Sequence, residues 1–209
     1  AVAAYQRALT LDPGNTAALR GAAVLAFTLG RLDEAIELDN RVLRLDPLYV
    51  AAYNNLGFQA YYAGRFDEAA SALKKALELN PNFPISRILL GRIYLAQSKF
   101  EEALHEMERE TDPVWRLYGL SLAYQAVGRR KEADAVLASF IKDYGETMAF
   151  QIAEVFAYRG QIDLAFDWLE RAYKLRDGGM ADIKNDPLLK RLESDPRYAA
   201  LLKKMRLPL

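Results

Sequence analysis

The chain has 209 residues, 52% hydrophobic and 27% charged, enough apolar material for a sizeable core and too much for a disordered segment. Lysine plus arginine equals aspartate plus glutamate, 28 each, so no net field draws the chain to phosphate and nucleic acid is not expected as a partner. Cysteine is absent, which excludes a disulfide framework and a thiolate metal site, and no apolar run reaches 18 residues, so membrane insertion through a helix is not expected.

From the N-terminus, "AVAAYQRALTLDP" has no basic leader before an apolar run and does not read as a signal peptide. The lack of cysteine fits a reducing compartment, and the cytoplasm is the expected location. With no starting Met, the chain reads as a piece of something longer. Residues 1–15 read as the second helix of a pair whose first helix is missing, which predicts an apolar face through which this uncapped N-terminal helix self-associates. Residues 16–49 read as a complete helix pair.

Residues 50–83 repeat that plan most clearly. In "AAYNNLGFQAYYA", Tyr53, Leu56, Ala60 and Tyr61 recur at helical spacing. Gly64 supplies a residue that tolerates the left-handed conformation ending a helix. Asp67 and Glu68 place negative charge at the positive end of the second helix. Ala69 is small enough for the two helices to approach, Leu73, Ala76 and Leu77 continue the buried stripe, and Pro81 blocks further helix. Residues 84–113, 114–145 and 146–177 follow, the first with its second helix shortened before Pro113.

Register carries this reading. Pro13, Pro47 and Pro81 fall 34 apart, and Ala1, Ala35, Ala69, Ala103, Ala133 and Ala165 follow at spacings of 34, 34, 34, 30 and 32. Around the last five stand "GRLDEA", "GRFDEA", "SKFEEA", "GRRKEA" and "GQIDLA". These residues resemble the tetratricopeptide repeat family, whose pattern Tyr53, Leu56, Gly57, Gly64, Ala69, Leu73, Ala76 and Pro81 match almost throughout. The other units match more loosely: Ala22 and Ala23 replace Leu-Gly in 16–49, and Asp39 occupies a normally apolar place. The resemblance implies an all-α fold, a right-handed α–α superhelix of about five full hairpin repeats plus a half repeat, over residues 1–177.

Residues 178–209 break the pattern and read as a helical cap over the last repeat. Asp186-Pro187 and Asp195-Pro196 each look like an N-cap followed by proline at the first helical position. Each opens a short helix, with Leu188, Leu189 and Leu192 on one apolar face and Tyr198, Leu201, Leu202 and Met205 on the other. The wording from "AFDWLERAY" to "LESDPRYAALLKKM" is similar to the repeat regions of bacterial winged-helix regulators and adenylate cyclases. That implies an alternative role, as the sensory or dimerisation arm of such a protein.

Reactive groups are sparse. His105 has no nucleophile arranged beside it and reads as a surface residue. Glu101, Glu102, Glu106, Glu108 and Glu110 spread over several helix faces and read as solvated. "DGG" at 177–179 lacks the Lys-Ser/Thr of a phosphate loop and reads as a helix stop. No catalysis, cofactor or metal is expected.

In this family the first helix of each unit lines a concave groove. Carried over position by position, the resemblance implies a peptide-binding set of Arg20, Asn54, Asn55, Phe58, Tyr62, Arg92, Trp115, Tyr118, Gln151, Glu154 and Tyr158. Aromatic rings give apolar contact at low entropy cost, and amide and guanidinium groups bond an extended backbone. Asn55 stands where protein O-linked N-acetylglucosamine transferases carry an asparagine ladder, but the matching positions Gly21, Leu89, Gly119 and Gln151 leave one rung. A chaperone-type carboxylate clamp needs more than Asn54, Asn55 and Arg92 and is not expected. The implied function is a non-catalytic scaffold for a peptide or protein segment.

Overall fold

A computed structural model of the chain describes residues 2–207, which form twelve α-helices and two 3-10 helices with no strand. No helix among them is long and apolar enough to cross a membrane. The helices gather into two compact units, one ending at Gln97 and the other beginning at Ser98.

The first unit holds α1 (Val2–Leu11), α2 (Thr16–Thr28), α3 (Leu32–Leu45), α4 (Val50–Tyr62), α5 (Phe66–Leu79) and α6 (Ser86–Ala96), each packed on the next. Leu19, Ala23, Ala35, Val42 and Ala52 form the core of α2 to α4. Leu56, Tyr61, Ala69, Leu73, Leu90 and Ile93 continue it through α4 to α6. Burying one such leucine side chain contributes about 1.5–3 kcal/mol. The alanine beat falls where the helices touch: Ala35, Ala69, Ala103, Ala133 and Ala165 are all fully buried, while Ala1 lies outside the described residues.

Gly64 does what its place in the hairpin demands. Its φ is +73°, its N–H donates to Tyr61 O at 3.0 Å, and the Arg65 N–H reaches back to Ala60 O at 2.8 Å. This pair of bonds closes the carbonyl end of α4 and turns the chain into α5. Ser98 adopts the same left-handed conformation in "SKFEEA", at φ +58°.

A second regularity ties one repeat to the next. The helix-start aspartate of a hairpin accepts from a side chain about one repeat onward: Asp33 from Arg65, and Asp67 from Gln97 at 2.8 Å. In the second unit the helix-start Asp163 accepts from Arg197, and Asp134, one residue past the buried Ala133, accepts from Arg159, each at 2.8 Å. Where both partners are exposed, as in Asp33–Arg65 and Asp163–Arg197, such an ion pair contributes about 0–1 kcal/mol, so the repetition marks register more than stability.

The second unit holds α7 (Phe100–Glu108), α8 (Pro113–Ala126), α9 (Arg130–Tyr144), α10 (Ala149–Tyr158), α11 (Ile162–Leu175) and α12 (Pro196–Lys204). Pro113 does not merely end the short α7; it opens α8, behind an Asp112 cap that accepts from Val114 N and Trp115 N. Glu110 departs from the solvated reading of its acidic neighbours. It is buried and accepts from the Thr111 and Asp112 N–H groups at 2.8 and 3.0 Å.

Beyond α11 the chain crosses α10 and α11 as 3-10 helices Gly178–Asp182 and Pro187–Leu192, then α12. Asp186 and Asp195 cap as their Asp-Pro pairs suggest, accepting from Leu188 N and Arg197 N, although the first opens a 3-10 helix. The glycines of "DGG" are not what stops α11: Arg176 takes the left-handed conformation, at φ +55°. Gly179 has another task, since a Cβ there would come within 2.5 Å of the Phe150 ring. Asp177 serves both sides of that contact, accepting from Gly179 N and from Phe150 N at 2.9 and 3.0 Å.

Candidate interaction surface

The residues expected to line a groove sit on the first helices of the hairpins, and burial divides them. In the first unit Arg20 is exposed on α2, with its guanidinium carbon 4.9 Å from the centroid of the Tyr49 ring. Stacking on an aromatic face holds a cation in place without removing its charge. Beside it lies an open hollow of about 650 Å³, lined by Tyr5, Ala17, Arg20, Gly21, Val24 and Asn55. Val24 is 56% exposed there, an apolar side chain left to water. Asn55 is half-buried on α4 and lines the same hollow.

Asn54 is engaged internally: its Oδ1 accepts from Ser86 Oγ at 2.7 Å, tying α4 to α6. Phe58 and Tyr62 stack with Phe27 as a triad, with centroids 4.7, 5.0 and 5.5 Å apart. Tyr62 is only 7% exposed. Arg92 is 6% exposed, its guanidinium 4.9 Å from the Tyr61 ring. These three side chains pack the hairpins together, whatever else they contact.

In the second unit Trp115 is half-buried and meets Tyr118 edge-on at 5.9 Å, and Tyr118 is fully buried, 6.2 Å from Phe140. Gln151 is half-buried on α10, and Glu154 is fully buried. Tyr158 is half-buried, and its phenol is pushed above the ordinary range by burial, partly offset by Arg191.

Sequence reasoning missed Tyr5, Ala17 and Tyr49 as parts of this surface. Tyr5 comes from α1, a second helix, and Tyr49 from the residue that precedes α4. Neither occupies a first-helix position, so no register rule points to them. A separate apolar groove of about 400 Å³ lies between α1, α2 and α3, lined by Val2, Tyr5, Leu9, Leu25, Leu29 and Leu38 among others. No residue of α1 is buried, and this is the face on which the expected self-association would rest.

His105 is exposed, and among the described residues no group of three or more His, Cys, Asp or Glu side chains gathers as metal ligands.

No curated protein matches the chain by sequence. Solved structures resemble it in fold. PilW, described as a widely conserved type IV pilus biogenesis factor, superposes with a TM-score of 0.64 at 21% identity, over 90% of this chain and 87% of that one. YrrB, described as a TPR protein with an unusual peptide-binding site, does so with a TM-score of 0.58 at 18% identity, over 98% and 100%. A thermophilic TPR protein of Thermus thermophilus gives 0.58 at 21% identity, over 82% and 89%. Three family models described as tetratricopeptide repeat match residues 1–50, 60–112 and 117–147, together more than half of the chain. With the hairpin register, the buried alanine beat and these matches in agreement, the chain belongs to the tetratricopeptide repeat family.

Proposed function

We propose that this protein-interaction scaffold holds an extended peptide or protein segment, and that in the first unit the segment lies in the hollow between α1, α2 and α4. The observation that carries the reading is the pairing of Arg20, exposed and stacked on Tyr49, with the Asn55 amide and the exposed Val24 around one opening. A guanidinium and an amide can bond the carbonyls or a carboxylate of a bound segment, and Val24 and Tyr5 offer apolar contact to its side chains. YrrB, similar in fold, is described as having a peptide-binding site, which agrees in kind with this reading.

The test is an array of short peptides probed with the whole chain and with an Arg20→Ala, Asn55→Ala double variant. Peptides that bind the wild type should lose at least tenfold in affinity with the double variant while its melting stays the same. Equal binding by both forms would place the contact elsewhere.

A further inference from the structure

Asp39 and Gln59 meet where α3 packs on α4, and both are sealed from solvent, at 0% and 2% exposure. Gln59 Nε2 donates to Asp39 Oδ2 at 2.7 Å. The other oxygen of each group, Asp39 Oδ1 and Gln59 Oε1, is buried with no donor. An ionised carboxylate and an amide oxygen are both acceptors, so these two atoms cannot satisfy each other. A carboxylic acid removes the conflict. A proton on Oδ1 would turn that oxygen into a donor for the acceptor Gln59 Oε1 and cancel a buried charge.

We infer that Asp39 and Gln59 form a buried acid–amide pair that holds one proton between two successive repeats, closed by two hydrogen bonds when protonated and by one when ionised. The electrostatics run the same way. Burial is the largest influence and raises the Asp39 carboxyl to about 6, against smaller opposing pulls from the Gln59 hydrogen bond and the charge of Arg20. Arg20 is the charged group acting on it from α2, and α4 faces it with Gln59, which does not titrate. On α3 the nearest cation in sequence, Arg41, is turned away and donates to Pro13 O. The pair therefore makes the seating of repeat 50–83 on repeat 16–49 depend on a proton that Asp39 keeps up to about pH 6. A register rule expects an apolar residue at position 39; the acid stands there hydrogen-bonded to an amide that can both donate and accept.

The sign follows from the raised value. Stability from the pair is complete below the unfolded carboxyl's range, near 4, and is lost as pH rises through about 6. Side-chain carboxyl carbons of the full-length chain, followed by NMR from about pH 3 to 8, should show Asp39 titrating near 6 and the other aspartates lower. Urea unfolding of the wild type should shift to lower urea between about pH 4 and 6. Asp39→Asn, whose amide both donates and accepts, should lose that shift and unfold at higher urea than the wild type above about pH 7. Arg20→Gln should move the Asp39 midpoint upward. An Asp39 midpoint near the ordinary aspartate value, or parallel pH profiles for the wild type and Asp39→Asn, would overturn the inference. The wild-type NMR titration decides alone if Asp39→Asn does not fold.

Discussion

The ring of Tyr5 occupies the space that a side chain at Gly21 would need: a Cβ on residue 21 would come within 2.4 Å of Tyr5 Cε1 and 2.5 Å of its hydroxyl oxygen. A ring from α1 can lie against α2, and so wall the hollow beside Arg20, because residue 21 has no side chain. Gly57 has the same relation to Leu73, at 2.5 Å from Cγ, but there the backbone oxygen of Ala69 also stands 3.2 Å away. The two glycines therefore answer substitution differently.

Gly21→Ala should swing Tyr5 aside, since the ring is half-buried at the end of a flexible side chain. Stability should change by less than about 1 kcal/mol, while near-ultraviolet circular dichroism and binding at the hollow change.

Gly57→Ala meets a fully buried leucine and a helix backbone, and neither yields cheaply. Urea denaturation should show a loss of about 1–3 kcal/mol. Ala69→Phe puts a ring into the same fully buried contact and should cost at least as much. Melting like the wild type in both would mean that α4 and α5 do not pack as described.

Arg20→Ala with Asn55→Ala removes the polar lining of the hollow from positions that are exposed and half-buried. Stability should stay within about 0.5 kcal/mol. Tyr62→Ala with Arg92→Ala is the contrasting pair. It removes a member of the Phe27–Phe58–Tyr62 triad and the cation over Tyr61, so thermal unfolding should shift down by several degrees. Of the two double variants, only the first separates binding from folding.

Tyr198 donates its hydroxyl to Ile183 O at 2.7 Å, and burial holds its phenol up at about 12. A phenol whose proton is held more tightly in the folded chain contributes stability that is complete below the unfolded value, near 10, and is lost as pH rises towards about 12. Tyr198→Phe keeps the ring and should cost about 0.5–1.5 kcal/mol at neutral pH, with a flatter alkaline limb in a pH series of urea unfolding.

Features written in contiguous residues were legible from the chain alone. Helical periodicity, the glycine after four of the five first helices, the acidic first turn, the buried alanine and the Asp-Pro caps are local, and each is dictated by backbone geometry that a few neighbours control. The repetition of those signals named the family. Packing settled which first-helix residues remain exposed. Arg20 and Tyr118 occupy positions that register treats alike, yet the first is exposed beside a hollow and the second fully buried against Phe140. It also settled that Tyr5 reaches Gly21 and that Asp39 finds Gln59, 16 and 20 residues onward in sequence. Burial and hydrogen bonding between successive helices depend on the volumes of side chains that sequence spacing does not bring together, so the folded chain had to supply them.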